Sequence, residues 1–345
     1  MEPTVLSPAK RWSRWHDRLH RQLLAEPNLL PDGTKLLLAV SGGQDSMALL
    51  ALLQDLQRLH CWELLIWHGD HGWHDGSGVI ASELKQWCET QRLPITLSQA
   101  SSGSTTPDKP TSEAVARTWR YGELQQLASD QERDVVTGHT ATDRSETLLL
   151  NLARGCDLRG LGSLRPQRPL DQHQPDGPQL RRPLLSFSRL ETKAICQELD
   201  VPIWLDPSNA DTAFDRNRIR LEVLPVLEEL HPGCSQRIAA FAERVSRTWD
   251  TQQELTELVL ASLLNKHGYM NRRQLNQLSS ANRRQLLHYW LHQQSVSRLS
   301  SALLQHIIEQ IRAQAAPGRI DLAGNLKLIW TKEWIVIETQ EQSLL

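Results

Sequence analysis

KLLLAVSGGQDSMALLALL, residues Lys35 to Leu53, divides into three parts. Lys35–Val40 is an apolar run, too short for a helix and ended by a glycine turn, so it reads as a buried strand. Ser41-Gly42-Gly43-Gln44-Asp45-Ser46 is that turn. From Met47 to Leu59 the residues Met47, Leu50, Leu53 and Leu56 recur along one face of a helix. Strand, glycine turn and helix in this order aim free backbone N–H groups and the positive end of a helix at an anion. Gly42 and Gly43 let the backbone approach that anion closely, and Ser41 and Ser46 add hydroxyl donors. Asp45 would repel a phosphate unless a cation lay between them, which points to Mg²⁺.

The turn is neither a Walker A loop, since no Gly-Lys-Ser/Thr follows, nor GxGxxG. SGGQDS after a buried strand resembles the PP-loop of the N-type ATP pyrophosphatases, which implies ATP cut between its α and β phosphates.

The same strand–helix alternation runs over residues 35–155 and predicts an α/β fold with a doubly wound parallel sheet. Glu63–His68 is a second strand, leading into His68-Gly69-Asp70-His71-Gly72, which offers a His/Asp cluster but a weak metal pattern. Ile95–Leu97 is a third strand, and residues 99–111 read as a surface loop. Asp134–Thr137 is a fourth strand, followed by Gly138-His139 and a helix carrying Asp143 and Glu146. Three residues apart, these carboxylates share a helix face. Carboxylates near a helix start are ordinarily dipole-stabilising only, but this pair follows a parallel strand and faces the same sheet edge as SGGQDS.

Residues 165–183 lack periodicity and read as a loop, and 154–193 carry a basic excess suited to phosphate contacts. Leu205–Asn209 is a turn, and Phe214-Asp215-Arg216-Asn217-Arg218-Ile219-Arg220 starts a helix. Residues 234–315 are helix-patterned, with Arg272-Arg273 and Arg283-Arg284 as basic spots, and three short strands follow Pro317-Gly318. The expected division is an N-terminal basic amphipathic helix within 1–33, a catalytic domain over 34–217, an all-helical domain over 218–316 and a short β-rich segment over 317–345.

Bulk properties fit that reading. The chain has 345 residues, 23% of them charged, with a formal net charge of −2, so any nucleic-acid surface is local. Five scattered cysteines without a CxxC support neither a zinc ribbon nor a redox pair and suit a reducing cytoplasm. No apolar run is long enough for a membrane span, and no signal-peptide core is present at the N-terminus.

SGGQDS, HGDHG, ARTWRY, TGHTATDRSET, ARGCDLRGLGSL, RRPLLSFSR and DPSNADTAFDRNRIR together resemble the bacterial tRNA(Ile)-lysidine synthetases, continuously over residues 35–225. The resemblance implies ligation of L-lysine to C2 of the wobble cytidine of a CAU-anticodon tRNA(Ile), through an adenylated tRNA intermediate, with ATP as substrate and Mg²⁺ as cofactor. It implies Ser41, Gly42, Gly43, Gln44, Asp45 and Ser46 on the ATP phosphates, with Arg117 and His139 as further ATP contacts. Asp45 and Asp143 are implied on Mg²⁺, Glu146 on the lysine ammonium and Arg216 on substrate, with Asp45, Asp143 and Glu146 as the catalytic set. Thr142 stands where the family usually has a second Asp, and the C-terminal domains of some members are reduced here to residues 317–345. A homodimer is compatible with the chain. The competing readings are a PP-loop tRNA thiolase, which would need paired cysteines, a small-molecule PP-loop ligase, which would not need the 154–193 basic excess, and a non-catalytic tRNA-binding protein.

Overall fold

The computed structural model describes residues 12–70, 72, 76–100, 113–204, 212, 214–294, 296, 299–312 and 314–339. The expected loop at 99–111 from residue 101 onward, His71 and the turn at 205–209 lie outside them, and Gln99 ends a strand. The chain divides into two compact units, residues 1–246 and 247–345.

In the first unit the elements are α1 (Arg14–Ala25), β1 (Lys35–Ala39), α2 (Gln44–His60), β2 (Glu63–Asp70), α3 (Ser77–Thr90), β3 (Ile95–Gln99), α4 (Glu113–Gln131), β4 (Asp134–Thr137) and α5 (Ala141–Ala153). Then come α6 (Leu158–Leu161), β5 (Gln167–Pro169), β6 (Gln179–Arg181), α7 (Arg189–Glu198), α8 (Asp215–Arg218), a π-helical turn (Ile219–Val223), α9 (Leu224–Leu230) and the start of α10 (Cys234–Leu263). The strands form one sheet in the order β3-β2-β1-β4-β6-β5, parallel except for the β5–β6 pair.

Alternation along β1 explains the two layers of helices. Leu36 and Leu38 pack with α1, α2, α3 and α7 residues in one core, whereas Leu37 packs with Leu124 and Ala128 of α4 in another. Successive strand side chains point to opposite faces, so a sheet covered on both faces needs a continuous apolar run. The sequence direction of strand order reverses between β1 and β4, so their carboxyl ends flank the crevice where open α/β sheets place ligands.

The stretch expected as a loop at 165–183 instead supplies the β5–β6 hairpin, with Leu170 and Leu180 buried. Strands of three residues in a Pro- and Gln-rich segment are too short to show alternation. This also redirects its arginines. Arg181 is buried, its Nε 2.6 Å from Asp134 and its Nη1 donating to Leu29 O at 3.0 Å. Arg182 is buried as well. These two are therefore not part of a solvated phosphate-binding surface.

The second unit holds the rest of α10, β7 (Met270–Asn271), α11 (Arg272–Gln277), α12 (Ser280–Gln293), α13 (Ser301–Gln310), β8 (Gly318–Leu322), β9 (Leu326–Trp330) and β10 (Trp334–Thr339). Its antiparallel sheet runs β7-β10-β9-β8. β7 breaks the region expected to be wholly helical and pairs with β10, and Leu287, Trp290 and Ile307 share a core with Leu328, Trp330 and Ile335. Helices and C-terminal strands are thus one unit, where the sequence suggested a division at 316/317. Arg272, expected as a basic surface spot, is 1% exposed and donates to the carbonyls of Ile311, Thr331, Arg312 and Ala315.

Removing one partner of a buried ion pair leaves the other charge uncompensated. Arg181→Met is therefore expected to lower the unfolding free energy by about 3–5 kcal/mol in a urea titration; a loss under about 1 kcal/mol would contradict the structural role of this pair.

Candidate active site

The turn after β1 folds as its residues dictate. Gly42 has a φ of +87°, a region that glycine enters without cost, and Gly43 is the N-cap of α2. Ser46 Oγ donates to Gly43 O at 2.9 Å and lies 3.2 Å from Ser41 Oγ, which draws the turn into a closed ring. The Trp204 N–H donates to Gly42 O at 2.9 Å, and its indole packs beside Gly42. The Gln44 side chain turns away and donates to Arg189 O at 2.7 Å, leaving only its backbone for a ligand.

The turn after β4 lies directly on this loop. A β-carbon at Gly138 would come within 2.8 Å of Asp45 O and 3.0 Å of Ser46 N, so only glycine fits there. Thr140 then caps α5, and Asp143 completes a capping box, its Oδ2 accepting from Thr140 N at 2.7 Å. The ordinary capping role and a site role coexist, because Oδ1 is left to face the cleft and Arg216.

A cleft of about 320 Å³ joins these turns. Ser41, Gly43, Asp45 and Ser46 line it from the first turn, and Gly138, His139 and Asp143 from the second. Arg117, Arg120, Arg189, Arg216 and Arg220 also line it, so five arginines face two aspartates. That balance, with helix α2 starting at its wall, suits a polyphosphate.

Each carboxylate of the site is held by a guanidinium. Arg189 Nη1 donates to Asp45 Oδ2 at 2.7 Å, and Thr192 Oγ1 donates to Asp45 Oδ1. Arg216 bridges Asp143 Oδ1 and Glu146 Oε2, both at 2.7 Å. Arg220 grips both oxygens of Glu146 at 2.6 and 2.9 Å. Asp143 and Glu146 do share a face of α5, as their spacing implies. Glu146, however, is wholly buried behind the two arginines and does not line the cleft. Both of its oxygens accept from these arginines.

Burial pushes the Asp45 carboxyl above its usual range, with the Asp143 charge adding to that and Arg189 opposing it. Burial acts on Asp143 in the same sense but is outweighed by Arg216, His139 and the Thr140 N–H, which hold it at about 2. Burial, then Arg182, brings His139 down to about 3, so its imidazole is neutral at working pH, with Nδ1 2.8 Å from Thr137 Oγ1. Thr142, in place of an Asp, accepts from Arg189 N at 3.2 Å and so helps seat α7. His68 Nδ1 lies 2.8 Å from Val40 O.

Arg189 and Arg220 are the main additions to the residues read from the sequence. Arg220 was legible as the i+4 partner of Arg216 on one helix face. Arg189 lies 144 residues from Asp45, and its mark in the sequence is that it closes the stretch RRPLLSFSR.

Residues 16–227 match the PP-loop domain, and residues 271–330 match the TilS substrate binding domain. A tRNA(Ile)-lysidine synthase of Parasynechococcus marenigrum (strain WH8102) is 61% identical over 322 residues, covering 93% of this chain and 94% of that protein. Another, from a strain of Prochlorococcus marinus, is 45% identical over 334 residues, covering 94% of this chain and 96% of that protein. Among solved structures, a U34-tRNA thiolase from Methanococcus maripaludis superposes with a TM-score of 0.57 at 18% identity, covering 68% of this chain and 78% of that one, a likeness of fold.

A carboxyl group held low when folded stabilises the protein above its unfolded value and loses that contribution as pH falls through the folded value. For Asp143 the window runs from 3.8 down to about 2. The stability advantage of the wild type over Asp143→Asn is expected to shrink by about 2 kcal/mol between about pH 5 and about pH 2. A pH-independent difference in urea titrations would contradict the assigned ion pairing.

Proposed function

The chain belongs to the tRNA(Ile)-lysidine synthase family of PP-loop enzymes, which use ATP to modify a tRNA, and on that premise we propose the following chemistry for its cleft. The substrates beyond ATP are L-lysine and a tRNA(Ile) with a CAU anticodon, met in the cytoplasm. In the first step O2 of the wobble cytidine attacks the α-phosphorus of ATP, and pyrophosphate leaves. In the second the lysine ε-amine, having lost a proton, attacks C2, and the C2–O bond breaks to expel AMP. The observation that carries this reading is the single cleft that gathers the PP-loop, five arginines and Asp143.

In this reading the backbone N–H groups of residues 42–44, with Ser41 and Ser46, hold the departing pyrophosphate, and the arginines stabilise charge that grows on it. Neutral His139 touches ATP, and Arg117 the nucleotide of the RNA substrate. Asp45 and Asp143 suit Mg²⁺: they are hard oxygen donors, and the charge of Asp143 is felt at Asp45, a repulsion that a divalent cation between them would relieve. When bound, Mg²⁺ would neutralise the phosphate oxygens. Asp143, the member facing the cleft, also orients the lysine ammonium and helps it lose its proton. Glu146 acts one layer behind, positioning Arg216 and Arg220.

The thiolase alternative finds no support in the cysteines. Cys88 and Cys196 are buried, and burial pushes their thiols up to about 11 and about 12, far from the thiolate needed for sulfur chemistry.

The division of roles predicts distinct kinetics. Asp45→Asn should slow pyrophosphate release at least about 100-fold. Asp143→Asn should slow adenylation and, beyond that, raise the lysine concentration needed for half-maximal transfer. Glu146→Gln should slow both steps alike without changing that lysine requirement. Pyrophosphate release and lysine incorporation, followed over a lysine titration, check this. A raised lysine requirement confined to Glu146→Gln would return the amine-binding role to Glu146.

A further inference from the structure

Tyr121 on α4 sits among three guanidiniums. That of Arg117 lies 4.8 Å from the ring centroid and donates to the hydroxyl at 3.4 Å. That of Arg168 lies 5.7 Å from the same centroid, and the charge of Arg182 acts on the hydroxyl as well. Among the described residues none of the three is paired with a carboxylate. Arg168 donates instead to the carbonyls of Pro169 and Leu170, and Arg182 to that of Arg165. Arg182 is 3% exposed, and its Nε has no partner among the described residues.

Such crowding is unfavourable by itself. Burial, and then the charges of Arg168 and Arg117, bring Arg182 down to about 10, against the pull of Tyr121. Uncompensated buried charge is costly, and an anion beside the cluster would relieve both the burial and the repulsion. Tyr121 points the same way. A guanidinium only donates, so the phenol oxygen accepts from Arg117, and its own hydrogen has no acceptor among the described residues. Two guanidiniums beside one ring and its hydroxyl hydrogen form a donor set that suits a phosphate.

Arg117 and Tyr121 bring one side of the cluster to the reaction cleft, away from the PP-loop. Arg182 follows β6, whose Arg181 pairs with Val136 of β4, so it sits beside Thr137 at the carboxyl edge of the sheet. Arg117 and Tyr121 line the cleft, and His139 feels the charge of both Arg117 and Arg182. We propose that Arg117, Arg168 and Tyr121, backed by Arg182, form a second anion site that holds a backbone phosphodiester of the RNA substrate, separate from the ATP phosphates at residues 41–46. This rests on the family reading above. A base that must meet the α-phosphate of ATP carries its flanking phosphates into the same cleft, and the PP-loop already supplies donors for the triphosphate.

The test uses the full chain, a CAU-anticodon tRNA(Ile) transcript and ATP, each titrated alone. Arg117 is exposed and its hydrogen bond goes to Tyr121, so Arg117→Gln should fold normally. It should weaken tRNA binding about 5- to 10-fold and make the slope of log K against log salt shallower by about 1, with ATP affinity within about twofold of wild type. Tyr121→Phe should weaken tRNA binding about threefold with an unchanged slope, since it removes a donor but no charge. Weaker ATP binding with an unchanged tRNA slope would assign the cluster to ATP and overturn the proposal. So would tRNA binding unaffected in both variants. Lysine incorporation by the wild type is measured alongside: its absence, with the expected change in slope, would sink the family-based reaction while leaving the phosphodiester site standing.

Discussion

The site depends on one close backbone contact, the turn at Gly138 lying against the carbonyl of Asp45 and the amide of Ser46. Parallel strands β1 and β4 are neighbours, and their following helices leave the same sheet edge. Any side chain at position 138 would push the two turns apart. Because none is present, Asp143, five residues later, comes close enough for its charge to be felt at Asp45. Two turns nearly a hundred residues apart in sequence thus become one anion-binding wall with an acidic edge.

That wall is held by opposite charges. Arg189 holds Asp45, while Arg216 and Arg220 hold Asp143 and Glu146. Buried charges are tolerated when paired and hydrogen-bonded, and the pairing explains why Asp143 stays ionised although burial opposes it. The same guanidiniums are the groups a polyphosphate would recruit, and a carboxylate released by one becomes available to a cation. In the proposed reaction the cleft would therefore serve anions and cations within one network.

Much of this was legible in the chain itself. Lys35–Leu53 showed strand, turn and helix because a fully buried strand and a one-faced helix have distinct patterns. The i,i+3 spacing placed Asp143 and Glu146 on one face. Spacing along a helix cannot say which residue of a pair meets the cleft: the burial of Glu146 is set by α8 and the turn after it, from seventy residues away. Arg181 and Arg182 were read as surface charge because composition carries no information on burial, and a three-residue strand shows no period. Asp45's partner Arg189 closes the stretch RRPLLSFSR, but the contact itself is tertiary.

The most direct measurement of the central claim is nucleoside analysis of a CAU-anticodon tRNA(Ile) transcript after incubation with the protein, ATP, Mg²⁺ and isotopically labelled lysine. The account predicts that the wobble cytidine gains one lysine at C2, with one AMP and one pyrophosphate formed per lysine joined. Unmodified cytidine, a sulfur-containing nucleoside, or ADP and phosphate as the nucleotide products would contradict it.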